Sequence, residues 1–188
     1  MFSSISTIDT FVVHAVQAIG PTWLPVAKLL SDIIGSPIYL GLVVILALFA
    51  IGKRRNASEV LIAFIISGLV VALLKNLIEA PRPYWIDPSI FGYVIEKGYG
   101  MPSGHSLVSI VVLGWLWLRH PRSLSLTLGA TTILILIGLS RVFLGVHYPS
   151  QIIAGWFVGA ILLCIFSWID GKYFRKRDRF VRSSAKLR

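Results

Sequence analysis

Three short segments of the chain carry residue types suited to work on a phosphate. Lys75 stands seven positions before Arg82-Pro83, Pro102-Ser103-Gly104-His105 forms the second segment, and Ser140-Arg141 is followed by His147 and then Gln151. Lys75 offers a point charge, while Arg82 and Arg141 offer planar forks that match phosphate oxygens. Ser103 has the character of a helix N-cap, so the amides of Gly104 and His105 would point outward at the positive end of a helix. That is a ready anion site, where glycine lets the backbone come close. Pro149 reads as a first-turn residue, which puts His147 just before another helix start. The positive end there favours a neutral imidazole, the form that can attack, and the second histidine can protonate a leaving oxygen. Alone, each of these residues would more often be structural. His14 and His120, outside the three segments, keep that structural reading.

The elements that must position these residues are apolar and long. The chain has 188 residues, 56% of them hydrophobic and only 14% charged, against about 25% charged in a soluble domain. No Asp, Glu, Lys or Arg occurs in residues 33–52, 60–74, 98–118, 123–140 or 142–169. A spanning helix needs roughly 17 to 25 mostly apolar residues, and these runs lack the polar face of a buried core helix. The expected fold is therefore an all-α, polytopic membrane helical bundle of five or six transmembrane helices, forming a single domain over residues 1–188. Asp9, His14, Gln17, Pro21, Pro25, Lys28 and Asp32 interrupt residues 1–34, which predicts an N-terminal interfacial helical segment or an extra span. Residues 35–171 would be the bundle that holds the site. The first basic residue is Lys28, so no charged region precedes an apolar stretch as in a cleavable signal peptide. A lone cysteine, Cys164, excludes an intramolecular disulfide.

The net charge of +10 does not point to nucleic acid, because its distribution follows the spans. Eight basic residues crowd residues 172–188, and Lys53-Arg54-Arg55 follows an apolar run. Alternating spans place these clusters, with Arg119 and Arg122, on one face, and Lys75, Arg82, Lys97 and Arg141 on the other. The positive-inside rule makes the first face and the basic tail cytoplasmic. The three phosphate-suited segments then gather on the extracytoplasmic, periplasmic side of a cell inner membrane.

The segments resemble the signature of the type 2 phosphatidic acid phosphatase (PAP2) superfamily, which also includes vanadium haloperoxidases and glucose-6-phosphatase-like enzymes. Its pattern is a lysine, six residues, Arg-Pro; then Pro-Ser-Gly-His; then Ser-Arg, five residues, His, three residues, Asp. Lys75, Arg82, Pro83, Pro102, Ser103, Gly104, His105, Ser140, Arg141 and His147 match it in order, and Gln151 stands where the family has aspartate. The resemblance implies that His147 is the nucleophile that becomes phosphorylated and His105 the acid. Gln151 orients the nucleophile, and Lys75, Arg82, Ser103, Gly104 and Arg141 bind the substrate phosphate. It implies a metal-independent lipid phosphatase without a cofactor. The partners would be membrane lipids and a lipid phosphate such as undecaprenyl diphosphate, phosphatidylglycerophosphate, phosphatidic acid or a lipid A phosphate. Gln151 can hold the imidazole but supplies no negative charge to it, which leaves a lipid phosphotransferase and a non-catalytic lipid-phosphate binder or transporter as alternatives.

Overall fold

The computed structural model of the protein describes residues 6–119 and 123–171, and these are helical throughout apart from turns and loops. His120, Arg122 and the basic tail 172–188 lie outside the described residues. The chain begins with α1 (Ser6–Gln17), a 3-10 turn (Pro21–Trp23), α2 (Leu24–Lys28) and a π-helical stretch (Leu29–Ile34). Then come α3 (Pro37–Ala50), α4 (Arg54–Ile78), the short α5 (Pro83–Ile86), α6 (Gly104–Arg119), α7 (Leu124–Phe143) and α8 (Pro149–Ile169).

The five charge-free runs correspond in order to α3, α4, α6, α7 and α8. Among the described residues, α4, α7 and α8 are long and apolar enough to cross a membrane. A fourth candidate is the segment Pro21–Ile34 joined to α3 through a 49° bend. Only 17–33% of the apolar windows of α4, α7 and α8 is buried within the protein, so their outer faces, with Leu69, Leu128 and Phe157, need lipid as solvent. The protein is a multi-pass membrane protein. Two runs reach beyond their helices. Residues 98–103 are uncharged yet form a loop, since Gly98 has φ 71 and Pro102 follows, and residues 142–148 contain the turn at Gly145, φ 72.

The N-terminal helix α1 turns its polar residues inward. Asp9, Val13 and Gln17 are buried while Ile8 and Phe11 are 74% and 70% exposed. An inward polar stripe must be hydrogen-bonded to be stable, and it is. Asp9 accepts from the Ser150 amide at 3.0 Å and from its hydroxyl, at the first turn of α8. Gln17 donates to the carbonyls of Phe91 (2.8 Å) and Phe143 (2.9 Å) and accepts from the Phe91 amide. His14 meets Asp87 at 3.0 Å, in keeping with its structural reading.

Helix α6 lies at the centre of the bundle. Leu107, Val111 and Val112 pack with Val44 and Leu48 of α3 and with Ala57 and Val60 of α4. Its closest neighbour is α8, because two glycines of α8 remove the side chains between them. A Cβ on Gly155 would lie 2.7 Å from the Ser103 carbonyl oxygen, and one on Gly159 would lie 2.7 Å from that of Leu107. Such a glycine pair four residues apart is how apolar helices bring their backbones together without a hydrophobic drive between them. At the other end of α6, Arg119 pairs with Glu59 of α4 and, at 3.2 Å, with Asp170 just beyond α8. With those ends level, 1.5 Å per residue leaves the start of α6 about 6–9 Å short of the far ends of α4 and α8. This length difference implies a recess at this end of the bundle, with the N-terminus of α6 at its floor and about level with Lys75.

Candidate active site

Walls of the recess come from the loop 79–101 and the turn between α7 and α8. Gly145 makes that turn, and a Cβ there would sit 2.3 Å from the Phe91 carbonyl oxygen, so loop and turn are in direct backbone contact. Two residues later His147 is buried.

Gln151 can take only one orientation. Its amide nitrogen donates to the Pro81 carbonyl at 2.8 Å, so its oxygen faces the Tyr148 amide at 3.3 Å and Nδ1 of His147 at 3.1 Å. A carbonyl oxygen only accepts, so Nδ1 carries the proton and Nε2 of His147 holds the lone pair. Gly100 makes room for this arrangement, since a Cβ there would lie 2.4 Å from Oε1 and 2.6 Å from Nε2 of Gln151. Burial, reinforced by Arg141, Arg82 and Lys75, holds His147 well below the ordinary histidine value. The ring is neutral at physiological pH.

Arg82 is fully buried, and four of its five N–H groups hold backbone carbonyls: Gly98 at 2.8 Å, Val146 at 2.9 Å, and Lys97 and Tyr99 at 3.3 Å. Its Nη1 lies 3.5 Å from Nε2 of His147. Arg82 therefore ties the loop 79–101 to the turn that carries His147, and its fifth N–H faces the Nε2 lone pair of that histidine. Arg141, also buried, donates to the Ser31 hydroxyl and to the Glu96 carboxylate, and its Nε has no hydrogen-bond partner among the described residues. Glu96 reaches toward both guanidiniums, its other oxygen lying 3.9 Å from Arg82. Burial alone would raise the Glu96 carboxyl, but Arg141, His105 and Arg82 together outweigh it and hold the group ionised.

The remaining sequence-predicted residues divide in two. Lys75 and His105 lie in the cluster, each within electrostatic reach of Arg82, Glu96 and Arg141. Ser103 does not turn its hydroxyl into the recess. It accepts from the Ser106 amide (3.4 Å) and hydroxyl (3.1 Å), the N-cap arrangement, while its own amide donates to the Gln151 carbonyl at 3.0 Å. That cap leaves the amides of Gly104 and His105 among the first-turn donors that no helix satisfies internally. Sequence reasoning missed the supporting layer: Gly155 and Gly159, Gly100, Ser31, the Pro81 carbonyl, and Glu96 as a partner of Arg141. The glycine pair was readable as a four-residue repeat inside an apolar run. No spacing rule identifies the others.

Three guanidinium or ammonium groups, two histidines and a helix start thus converge on one recess of a membrane protein. Among the described residues no three His, Cys, Asp or Glu gather as metal ligands would. Over 94% of its length the chain is 27% identical to phosphatidylglycerophosphatase B of Bacillus subtilis (strain 168), covering 90% of that protein. It is 31% identical to the undecaprenyl-diphosphatase of Sulfolobus acidocaldarius over 62% of this chain, spanning 53% of that relative. The crystal structure of a transmembrane PAP2 type phosphatidylglycerolphosphate phosphatase from Bacillus subtilis matches it with a TM-score of 0.77 at 25% identity, covering 92% of this chain and 89% of that one. Residues 56–175, which contain the whole recess except the N-terminal props, match the PAP2 superfamily, and the chain belongs to that family.

Proposed function

We propose that the protein is a metal-independent membrane lipid phosphatase that removes the terminal phosphate of a lipid phosphomonoester or diphosphate through a phosphohistidine at His147. The observation that carries this reading is the one-way hydrogen bonding of Gln151. With its amide nitrogen committed to Pro81, it keeps the proton of His147 on Nδ1 and leaves the Nε2 lone pair facing the cations. Nε2 attacks the phosphorus as the bond to the lipid oxygen breaks, and His105 gives that oxygen its proton. Arrival of a phosphate dianion beside His105 favours the protonated ring needed for this. A water, deprotonated by the now neutral His105, then attacks the phosphohistidine and releases inorganic phosphate. Arg141, Lys75, the Arg82 N–H that Nε2 gives up as it attacks, and the amides at the start of α6 stabilise the charge that develops on the phosphoryl oxygens. The similarity to a phosphatidylglycerophosphatase and an undecaprenyl-diphosphatase supports a lipid carrier as the substrate. The recess would open on the periplasmic side of the inner membrane.

Incubating detergent-solubilised protein with radiolabelled lipid phosphates tests the reading. It expects phosphate release in the presence of EDTA, inhibition by vanadate, and an acid-labile labelled protein that His147→Ala abolishes. Turnover close to normal in His147→Ala, or activity lost in EDTA and restored by zinc, would refute it.

A further inference from the structure

The most unusual group in the recess is Glu96, the one negative charge there among the described residues, placed where an anionic substrate has to go. Glu96 hydrogen-bonds Arg141 through one oxygen, points the other at Arg82 across 3.9 Å, and lies within electrostatic reach of His105 and Lys75. Its backbone is fastened independently of its side chain. The Tyr84 hydroxyl donates to the Glu96 carbonyl at 3.2 Å and accepts from the Glu96 amide at 3.3 Å. Tyr84 is itself seated over Gly92, where a Cβ would lie 2.9 Å from its ring. Backbone pinned and side chain 30% exposed, the carboxylate can swing away without any movement of the loop. Its fit to the cations is also partial. A carboxylate has two oxygens, and the buried Nε of Arg141 stays without a hydrogen-bond partner among the described residues. A phosphoryl group brings three free oxygens to the same donors.

We propose that Glu96 is an internal stand-in for the substrate phosphate: it occupies the cation cradle in the empty site, is displaced when a phosphate enters, and returns to expel inorganic phosphate after turnover. Two consequences follow. With Glu96 in place the cations Lys75, Arg82 and Arg141 carry a net charge of two, so a weakly charged phosphodiester competes poorly with the carboxylate while a phosphomonoester or diphosphate displaces it. Product inhibition is also held down, because free phosphate must compete with a carboxylate whose effective concentration is set by one short side chain.

The inference rests on the phosphatase reading, and the test separates the two by using equilibrium binding. Orthophosphate and orthovanadate binding to the full chain in detergent micelles is measured for wild type, Glu96→Gln, Glu96→Ala and Arg141→Ala. Removing the competing charge should tighten orthophosphate binding on the order of tenfold in both Glu96 variants, the scale of one charge-assisted contact. Arg141→Ala should weaken it. In turnover, both Glu96 variants should show kcat reduced by slow phosphate release, a lower KM, and stronger inhibition by added phosphate. If Glu96 only orients Arg141, its loss weakens phosphate binding, the opposite sign, and the proposal falls. Unchanged affinity in both Glu96 variants, with Arg141→Ala still weakened, overturns the stand-in alone. No phosphate binding in any variant overturns the phosphate site itself. Should the Glu96 variants fail to fold, Tyr84→Phe, which unpins the Glu96 backbone and keeps the charge, should tighten orthophosphate by a smaller factor. Weaker or unchanged binding there also rejects the proposal.

Discussion

The amide nitrogen of Gln151 does something that a carboxylate at the family's aspartate position could not do here. It donates to Pro81 at 2.8 Å while the oxygen holds His147. Gln151→Glu keeps the length of the side chain but sets an oxygen against the Pro81 carbonyl. The unpaired carbonyl and the misfit should cost about 1–3 kcal/mol of stability. The Nδ1 contact can survive, so kcat should fall less than in Gln151→Leu, which loses both bonds. Gly100→Ala drives a methyl to within 2.4 Å of Oε1 and should lower kcat with little change in KM, because the cations that bind phosphate are untouched. Thermal unfolding and steady-state kinetics on the three variants check this, and wild-type kcat in Gln151→Leu would rule out the orienting role. The depressed His147 gives a second expectation at this scale. The acid limb of kcat/KM in the free enzyme, corrected for the second ionisation of the substrate, should lie well below pH 6.5, since protonation that silences Nε2 begins only there. A limb at the ordinary histidine value would contradict the burial argument.

The start of α6 is held beside Gln151, the partner of His147, only because α8 comes unusually close, and Gly155 sets that distance. A methyl on Gly155 would meet the Ser103 carbonyl at 2.7 Å and Ser106 at 3.0 Å, so Gly155→Ala must push the two helices apart at the level of the site. Overpacking of this kind costs about 1–3 kcal/mol, and kcat should drop with it. Gly129 of α7 has nothing within 4 Å of its Cβ position, so Gly129→Ala should leave activity unchanged and stabilise the helix by about 0.5–1 kcal/mol. Equal behaviour of the two variants would mean that helix spacing does not control the site. The same elements show where the sequence was legible. Charge-free runs located α3, α4, α6, α7 and α8 because lipid tolerates few charges on any face. They overran at 98–103 and 144–148 because these stretches beside the site are free of charge without being helical. The titratable residues could be read from type and spacing. Their supports could not, since a carbonyl such as that of Pro81 has no sequence signature and Ser31 meets Arg141 across 110 positions.

At the scale of the whole molecule, two polar clusters sit at opposite ends of the bundle, and the structure changes how their charges count toward orientation. At the site end, Arg82 is tied to carbonyls and Arg141 to Ser31 and Glu96, both fully enclosed by protein. Neither acts as a free juxtamembrane charge, so Lys28, Lys75 and Lys97 are the basic residues left to count there among the described ones. At the other end Lys53, Arg54 and Arg55 are exposed, and the sequence adds Arg122 and the eight basic residues of 172–188. The imbalance is larger than the bare sequence count, and by the positive-inside rule it supports the proposed orientation, with the recess outside the cytoplasm. That orientation suits a lipid carrier whose phosphate faces the periplasm. Ser89 is exposed in the loop 79–101, and a cysteine there, in a Cys164→Ala background, reads the orientation directly. An impermeant maleimide added to intact cells, with the outer membrane made passable, should label Ser89→Cys fully. Ser184→Cys in the tail should react only after the inner membrane is opened. Lys53→Glu with Arg54→Glu and Arg55→Glu should reduce the bias and give a mixed population in which some Ser89→Cys becomes protected. The reverse pattern, Ser184→Cys labelled first, would put the site in the cytoplasm and move the search for a substrate to lipids of the inner leaflet.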